Sequence, residues 1–198
     1  MHYDENADVG LLEISESVAL KSTLRFLSQT NILQNRRKTE KAGVLLEGYP
    51  SEFITPIHRE KVKGKNCQVF LQQQFMYVGR LLPNKEWPAK LAGLPLLKRR
   101  DLLIPYSPDI TVQGVNLNNF SAKIVNLAAP NLKGMSGCGI WLLSMNVSES
   151  SGIWKPDAQL IGIQRSFNNI IRGTQITRWV ALVRKHYPDL QQELDSLK

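Results

Sequence analysis

The chain has 198 residues, room for one domain of sandwich or two-barrel size and too few for two large ones. Hydrophobic residues make up 42% of it and charged residues 21%, with Gly and Pro near ordinary usage, which excludes a disordered, collagen-like or low-complexity chain. Basic residues outnumber acidic ones by 25 to 17, and the resulting net charge of +8 favours anionic partners without naming one.

In chain order, Met1 to Asp8 is polar and acidic, the reverse of a secretory signal, and no apolar run approaches the ~20 residues that span a bilayer. The expectation is a cytoplasmic protein with no membrane association. A strand follows over Asp8 to Ile14, apolar at 9, 11, 12 and 14. Residues 17–42 read as a linker, with a short helix within Ser17 to Gln29 and an exposed basic loop at Asn35 to Lys38. Gly43 to Pro50 is a strand stopped by Gly and Pro, and further β-rich runs are Cys67 to Leu71, Phe75 to Val78, Leu102 to Ile104 and Ile110 to Val112. Pro83 to Arg100, with Pro83, Pro88, Gly93 and Pro95, reads as an irregular insertion. Later strands are expected at Lys123 to Leu127, Gly139 to Met145, Leu160 to Gln164 and Gly173 to Ile176. A closing helix over Trp179 to Lys198, capped by Thr177, carries Trp179, Leu182, Val183 and His186 at helical spacing, with Pro188 opening a further turn. Many short strands and one terminal helix predict an all-β fold.

Chemistry concentrates at Lys133-Gly134-Met135-Ser136-Gly137-Cys138-Gly139, a serine in a glycine-rich turn that runs straight into an apolar strand. Glycines reach backbone conformations closed to other residues, so N–H groups beside a serine can gather above its hydroxyl as an oxyanion hole does. A Gly/Ser β-turn without chemistry is the competing reading. Cys138 stands beyond the turn and is expected to be a small apolar filler with an inert thiol; Cys67 is expected to be free as well. Neither these cysteines nor His2, His58 and His186 have metal-ligand spacing, so no metal and no cofactor are expected.

The turn at Gly134 to Gly137, the apolar strand after it, Leu160-Ile161-Gly162-Ile163, Arg172-Gly173-Thr174-Gln175-Ile176 and the terminal helix together resemble the second barrel of the trypsin-like serine peptidases. Upstream, Asn6-Ala7-Asp8-Val9-Gly10-Leu11-Leu12 resembles the family's Asp-x-Ala-Leu-Leu strand, and Gly48-Tyr49-Pro50 resembles a motif of its bacterial members. The resemblance implies a double β-barrel with an incomplete first barrel at 1–16, an inter-barrel linker at 17–42, and a complete second barrel with a C-terminal helix at 43–198, interrupted by an insertion at about 83–100. It implies Ser136 as nucleophile, Asp8 as the acid orienting the base, and the N–H groups of Gly134 and Ser136 as oxyanion hole. By the same carry-over Pro130 sits at the base of the primary pocket, and Gln164, Arg165, Ser166 and Gly173 form its wall. The substrate would be a protein or peptide, with no preference for basic residues, since Pro130 carries no charge.

The family's base is missing from its place. Only His2 precedes Asp8, six residues cannot hold the strands that separate base from acid, and His2 is expected to be a solvated terminal residue. His58 stands in subtilisin's order, but there the serine opens a helix; His186 stands in the α/β-hydrolase order, whose elbow needs Gly where this chain has Cys138. The sequence therefore predicts that Met1 is not the natural start of the working protein and that residues 1–198 are an inert fragment or a decayed copy, with a pseudopeptidase acting as an interaction surface as the alternative. A nucleic-acid-binding domain is the third class. Basic clusters at Arg36 to Lys41, Arg59 to Lys65 and Lys98 to Arg100 speak for it, and the lack of a nucleic-acid motif or an aromatic stacking run argues against it.

Overall fold

A computed structural model describes residues 1–17, 31–32, 43–62, 65–72, 74–106, 111–118, 121–128, 130–147, 154–167 and 169–195. The linker helix expected within Ser17 to Gln29 and the basic cluster Arg36 to Lys41 lie outside them. The chain opens with a hairpin, β1 (His2–Asp4) against β2 (Val9–Leu11), in the register His2 to Leu11 and Asp4 to Val9. The sequence pattern predicts only one strand here, because the first, polar half becomes a strand through its partner and not through its own pattern.

The body of the protein is one curled antiparallel sheet. Its strands are β3 (Gly43–Gly48), β6 (Phe75–Arg80), β9 (Asp101–Pro105), β12 (Gly139–Val147), β13 (Trp154–Phe167) and β14 (Ile170–Gln175), in the order β6-β3-β12-β13-β14-β9. Beyond β6, the Leu82 N–H donates to the Leu103 carbonyl at 2.8 Å, so the two edge strands approach each other and the sheet curls into a half-barrel. Strand β3 alternates as a one-sided strand must: Val44, Leu46 and Gly48 are buried and their neighbours only partly so. Two long hairpins stand apart from this sheet, β4 (Ile54–Val62) with β5 (Lys65–Gln72) and β10 (Thr111–Asn118) with β11 (Ser121–Ala128). The insertion is not wholly irregular, since it contains a 3-10 turn at Asn84–Glu86 and a two-residue ladder, β7 (Lys90–Leu91) with β8 (Leu94–Pro95).

Two apolar clusters result. Val44, Leu46, Phe75, Leu102, Ile104, Leu132, Met135, Ile140, Leu142, Ile161 and Ile171 fill the concave side of the sheet. On its other side α1 (Ile176–His186) covers the hairpin, so that Ile176, Val180 and Val183, spaced by four and three, meet Ala7, Val9 and Leu11 with Leu160 and Ile163 beneath. The helix begins earlier than expected, at Ile176, and Thr177 does not cap it. Gln175 holds the cap position, and its amide donates instead to the carbonyls of Lys98 and Asp101. After Pro188 opens a 3-10 turn, α2 (Gln191–Asp195) returns Leu194 to the same cluster. Among the described residues no helix is long and apolar enough to cross a membrane.

Where β9, β14 and the insertion meet, Arg172 and Asp101 are buried to 2% and 0% exposure and joined by two bonds of 3.0 and 3.1 Å. Arg100 adds two more contacts to the same carboxylate and reaches the Asn6 carbonyl at 3.1 Å, and both arginines donate to the Pro95 carbonyl. Arg100, read as part of a basic surface cluster, is therefore a structural residue. Burial alone would push the Asp101 carboxyl up, but bonds from Arg100, Arg172 and the Leu97 N–H outweigh it and leave the group below its ordinary value. A carboxylate depressed in the folded state contributes stability that is present at neutral pH and lost as acid titrates it below about pH 4. Arg172→Met should cost about 3 kcal/mol, the low end for a broken buried pair because Arg100 remains. The double variant Asp101→Asn with Arg172→Met should recover part of that loss in urea denaturation. A single variant within about 1 kcal/mol of the parent would show that the pair is not holding the junction.

Candidate functional site

Ser136 lies in the turn between Leu132 and β12, exposed, with Gly134 at φ 92° and Gly137 at φ 94°. Both angles fall in the region that favours glycine, so the two residues flanking Met135 and Ser136 set the turn. Its N–H groups divide cleanly. Met135 donates to the Leu132 carbonyl at 3.1 Å, Gly137 to Gln164 at 2.8 Å and Cys138 to Met135 at 3.0 Å. Among the described residues, no acceptor takes the N–H of Gly134 or of Ser136. The turn is pinned on three sides. Met135 is fully buried in the sheet's cluster, the Lys133 carbonyl accepts from the Ser51 N–H at 2.8 Å, and the Gln164 N–H returns to the Cys138 carbonyl.

Gly48 explains the Gly-Tyr-Pro sequence in physical terms: a Cβ there would stand 2.3 Å from the Cys138 sulfur and 2.9 Å from the Met135 methyl, so only glycine lets β3 pass under the turn. Cys138 packs against the apolar cluster, and burial raises its thiol, against a smaller lowering by the Tyr49 backbone. That environment holds the proton on sulfur.

Asp8 ends the β1–β2 turn at φ 52°, a left-handed conformation that Asp tolerates better than most residues. Its carboxylate accepts from the Tyr3 hydroxyl at 2.6 Å and from Arg165 Nε at 3.2 Å. The carbonyl of that same Arg165 lies 3.4 Å from Ser136 Oγ. Asp8 and Ser136 thus meet opposite ends of one residue of β13, and the side chain between them is an arginine. Arg165 Nη1 and Gln164 Oε1 are buried and without a partner among the described residues.

The expected pocket residues distribute unevenly. Pro130 is buried, and its carbonyl accepts from the Tyr106 hydroxyl at 2.5 Å. Ser166 is exposed, whereas Gln164 is 2% exposed. Gly173 faces inward, where a Cβ would stand 2.2 Å from Ile140 Cδ1. Of the histidines, His2 is not the solvated terminal residue expected. It belongs to β1, and its ring stacks on His186 at 3.8 Å, which engages both on each other. The side chain of His58 lies outside the described residues, and no cluster of three metal-ligating side chains occurs among them.

Compared with known proteins, the chain matches no family model, no curated protein and no solved structure.

Gly134→Ala would place a methyl group in a left-handed conformation and 3.1 Å from the Ser51 nitrogen. It should cost about 1–3 kcal/mol, read as a lowered melting temperature. Gly93→Ala is the control, because that glycine, also left-handed at φ 77°, meets nothing within 4 Å. Equal losses in the two variants would show that the Ser51 contact adds nothing to the strain.

Proposed function

We propose that this chain is a trypsin-like serine-peptidase unit in which Ser136 is the nucleophile, the N–H groups of Gly134 and Ser136 form the oxyanion hole, and Asp8 is the acidic member of the triad. The curled sheet with its closing helix would correspond to the second barrel, and the hairpin carrying Asp8 to the acid-bearing strand of the first. One observation carries this reading. The two N–H groups of the turn left without acceptors are those the resemblance assigns to the oxyanion hole, and one of them is the exposed serine's own.

In such a site the hydroxyl oxygen attacks a peptide carbonyl, and the two N–H donors meet the negative charge that moves onto the carbonyl oxygen. The hydroxyl proton has to leave as the bond forms. Ser136 Oγ faces the Arg165 carbonyl, which accepts a hydrogen bond but takes no proton at neutral pH, and Arg165 itself cannot act as base. Among the described residues the turn therefore supplies charge stabilisation without proton transfer, and residues 1–198 alone should hydrolyse protein substrates barely, since serine and base act as a unit.

A second reading, a pseudopeptidase that keeps the fold as a peptide-binding surface, is favoured by the Asp8 carboxylate itself, which is taken up by Arg165 and Tyr3 rather than held open for an imidazole.

Imidazole added from solution tests the two. With an activated ester such as p-nitrophenyl acetate, the peptidase reading expects turnover that rises with imidazole beyond the rate imidazole gives alone, and that excess should vanish in Ser136→Ala. Identical rates for the parent and Ser136→Ala at every imidazole concentration would remove Ser136 as nucleophile and leave the binding reading.

A further inference from the structure

The two histidines placed in the fold lie far apart in sequence, one in β1 and one in the last turn of α1, yet their rings stack at 3.8 Å with planes 17° apart. Tyr187 meets His2 edge-on at 5.9 Å, and its hydroxyl donates to Glu13 at 3.0 Å. This contact closes the open end of the N-terminal hairpin, since His2 pairs with Leu11 in the ladder and Leu11 is buried against α1. The other end is held differently, by Thr174 Oγ1 donating to the Ala7 carbonyl at 2.6 Å, by Arg100 on Asn6, and by Arg165 on Asp8. We propose that the stacked His2–His186 pair is a proton-sensitive latch, which holds the open end of the hairpin on α1 at neutral pH and releases it in mildly acidic solution.

The charges around the pair favour release. Facing His186 are the His2 ring and the Lys185 ammonium, neither of which offers a negative charge. Partial burial, then these neighbours, lower the His186 imidazole from its ordinary value, so the stacked state resists its proton. The nearby carboxylates are engaged elsewhere: Asp4 accepts from the N–H groups of Asn6 and Ala7, Asp8 from Tyr3 and Arg165, Glu13 from Tyr187, and Asp195 from Arg184 in the last turn of α1. A proton on His186 would therefore stand against the His2 ring and Lys185, and among the described residues no carboxylate forms an ion pair with it.

The sign follows from linkage. The folded state binds the proton on His186 less readily than the released one, so the stability of the closed end is complete above the ordinary histidine value of about 6.5 and falls as the solution becomes more acidic. Because the hairpin carries Asp8, the latch also bears on how firmly that carboxylate is presented to Arg165, but the inference does not depend on the peptidase reading.

Hydrogen exchange of the full chain tests it, comparing peptides covering residues 1–14 and 170–175 at pH 7.5 and 5.5 after correction for intrinsic exchange. The hairpin should lose protection about tenfold on acidification relative to β14. His186→Phe, which keeps a neutral ring in the stack, should abolish most of that dependence. If β14 also loses protection in that variant, the fold itself has been disturbed, and His2→Phe makes the same comparison from the other ring. A hairpin whose protection tracks β14 in the parent, or a pH dependence that survives in a folded Phe variant, would overturn the latch.

Discussion

Asp101 and Arg172 are charges held out of water at the β9–β14 edge of the sheet, and the insertion, the hairpin and the head of the helix are all tied to the groups that keep them satisfied. Removing an ion from water is costly, and a pair compensates only when its remaining lone pairs and protons find partners. Here they do. Leu97 and Arg100 complete the carboxylate, and Pro95 takes the spare donors of both arginines. The result is that the insertion between β6 and β9 is tied to the sheet by its own backbone. Gln175, drawn to the Lys98 and Asp101 carbonyls, fixes where β14 gives way to helix. Arg100 extends the same network to the hairpin through Asn6.

From this junction the geometry passes to the serine turn along β13. Gln164 is bonded to the turn through both backbone groups, and Arg165 presents its carbonyl to Ser136 and its guanidinium to Asp8. A register bulge between Gln164 and Ser166, opposite β14, lets consecutive residues serve the turn on one side and the hairpin on the other. The site is thus assembled from three remote segments by one irregular strand. What it lacks, among the described residues, is a group able to accept the serine's proton. The positive charge beside Asp8 is permanent, so the acid is paired electrostatically where a peptidase would have it orient an imidazole.

The hairpin is held by contacts of two kinds. Its apolar face against α1 is indifferent to pH, as burial of Ala7, Val9 and Leu11 must be. Its polar contacts respond to charge, and among them the stack on His186 is opposed by a proton on that ring. A short two-stranded hairpin has little stability of its own, so which of these contacts persists determines whether it stays docked.

The sequence by itself determined the strands whose burial repeats in their own residues. Val44, Leu46 and Gly48 alternate, Leu102 to Ile104 is uniformly apolar, and Trp179, Leu182 and Val183 lie at helical spacing, so these elements were legible wherever the pattern was local. The serine turn was legible for the same reason, because Gly134 and Gly137 mark left-handed positions whatever surrounds them. Only the tertiary structure decided the rest. His2–Asp4 is a strand because β2 lies beside it, and Gln175 rather than Thr177 stands at the head of the helix because carbonyls from Lys98 and Asp101 claim its amide. Arg100 and Arg165 looked like surface or pocket cations until folding set a carboxylate against each, and His2 and His186 became a pair across most of the chain's length. Periodicity records which face of an element is apolar. Which distant charge or ring it will meet depends on how the elements are stacked, and no window of sequence contains that.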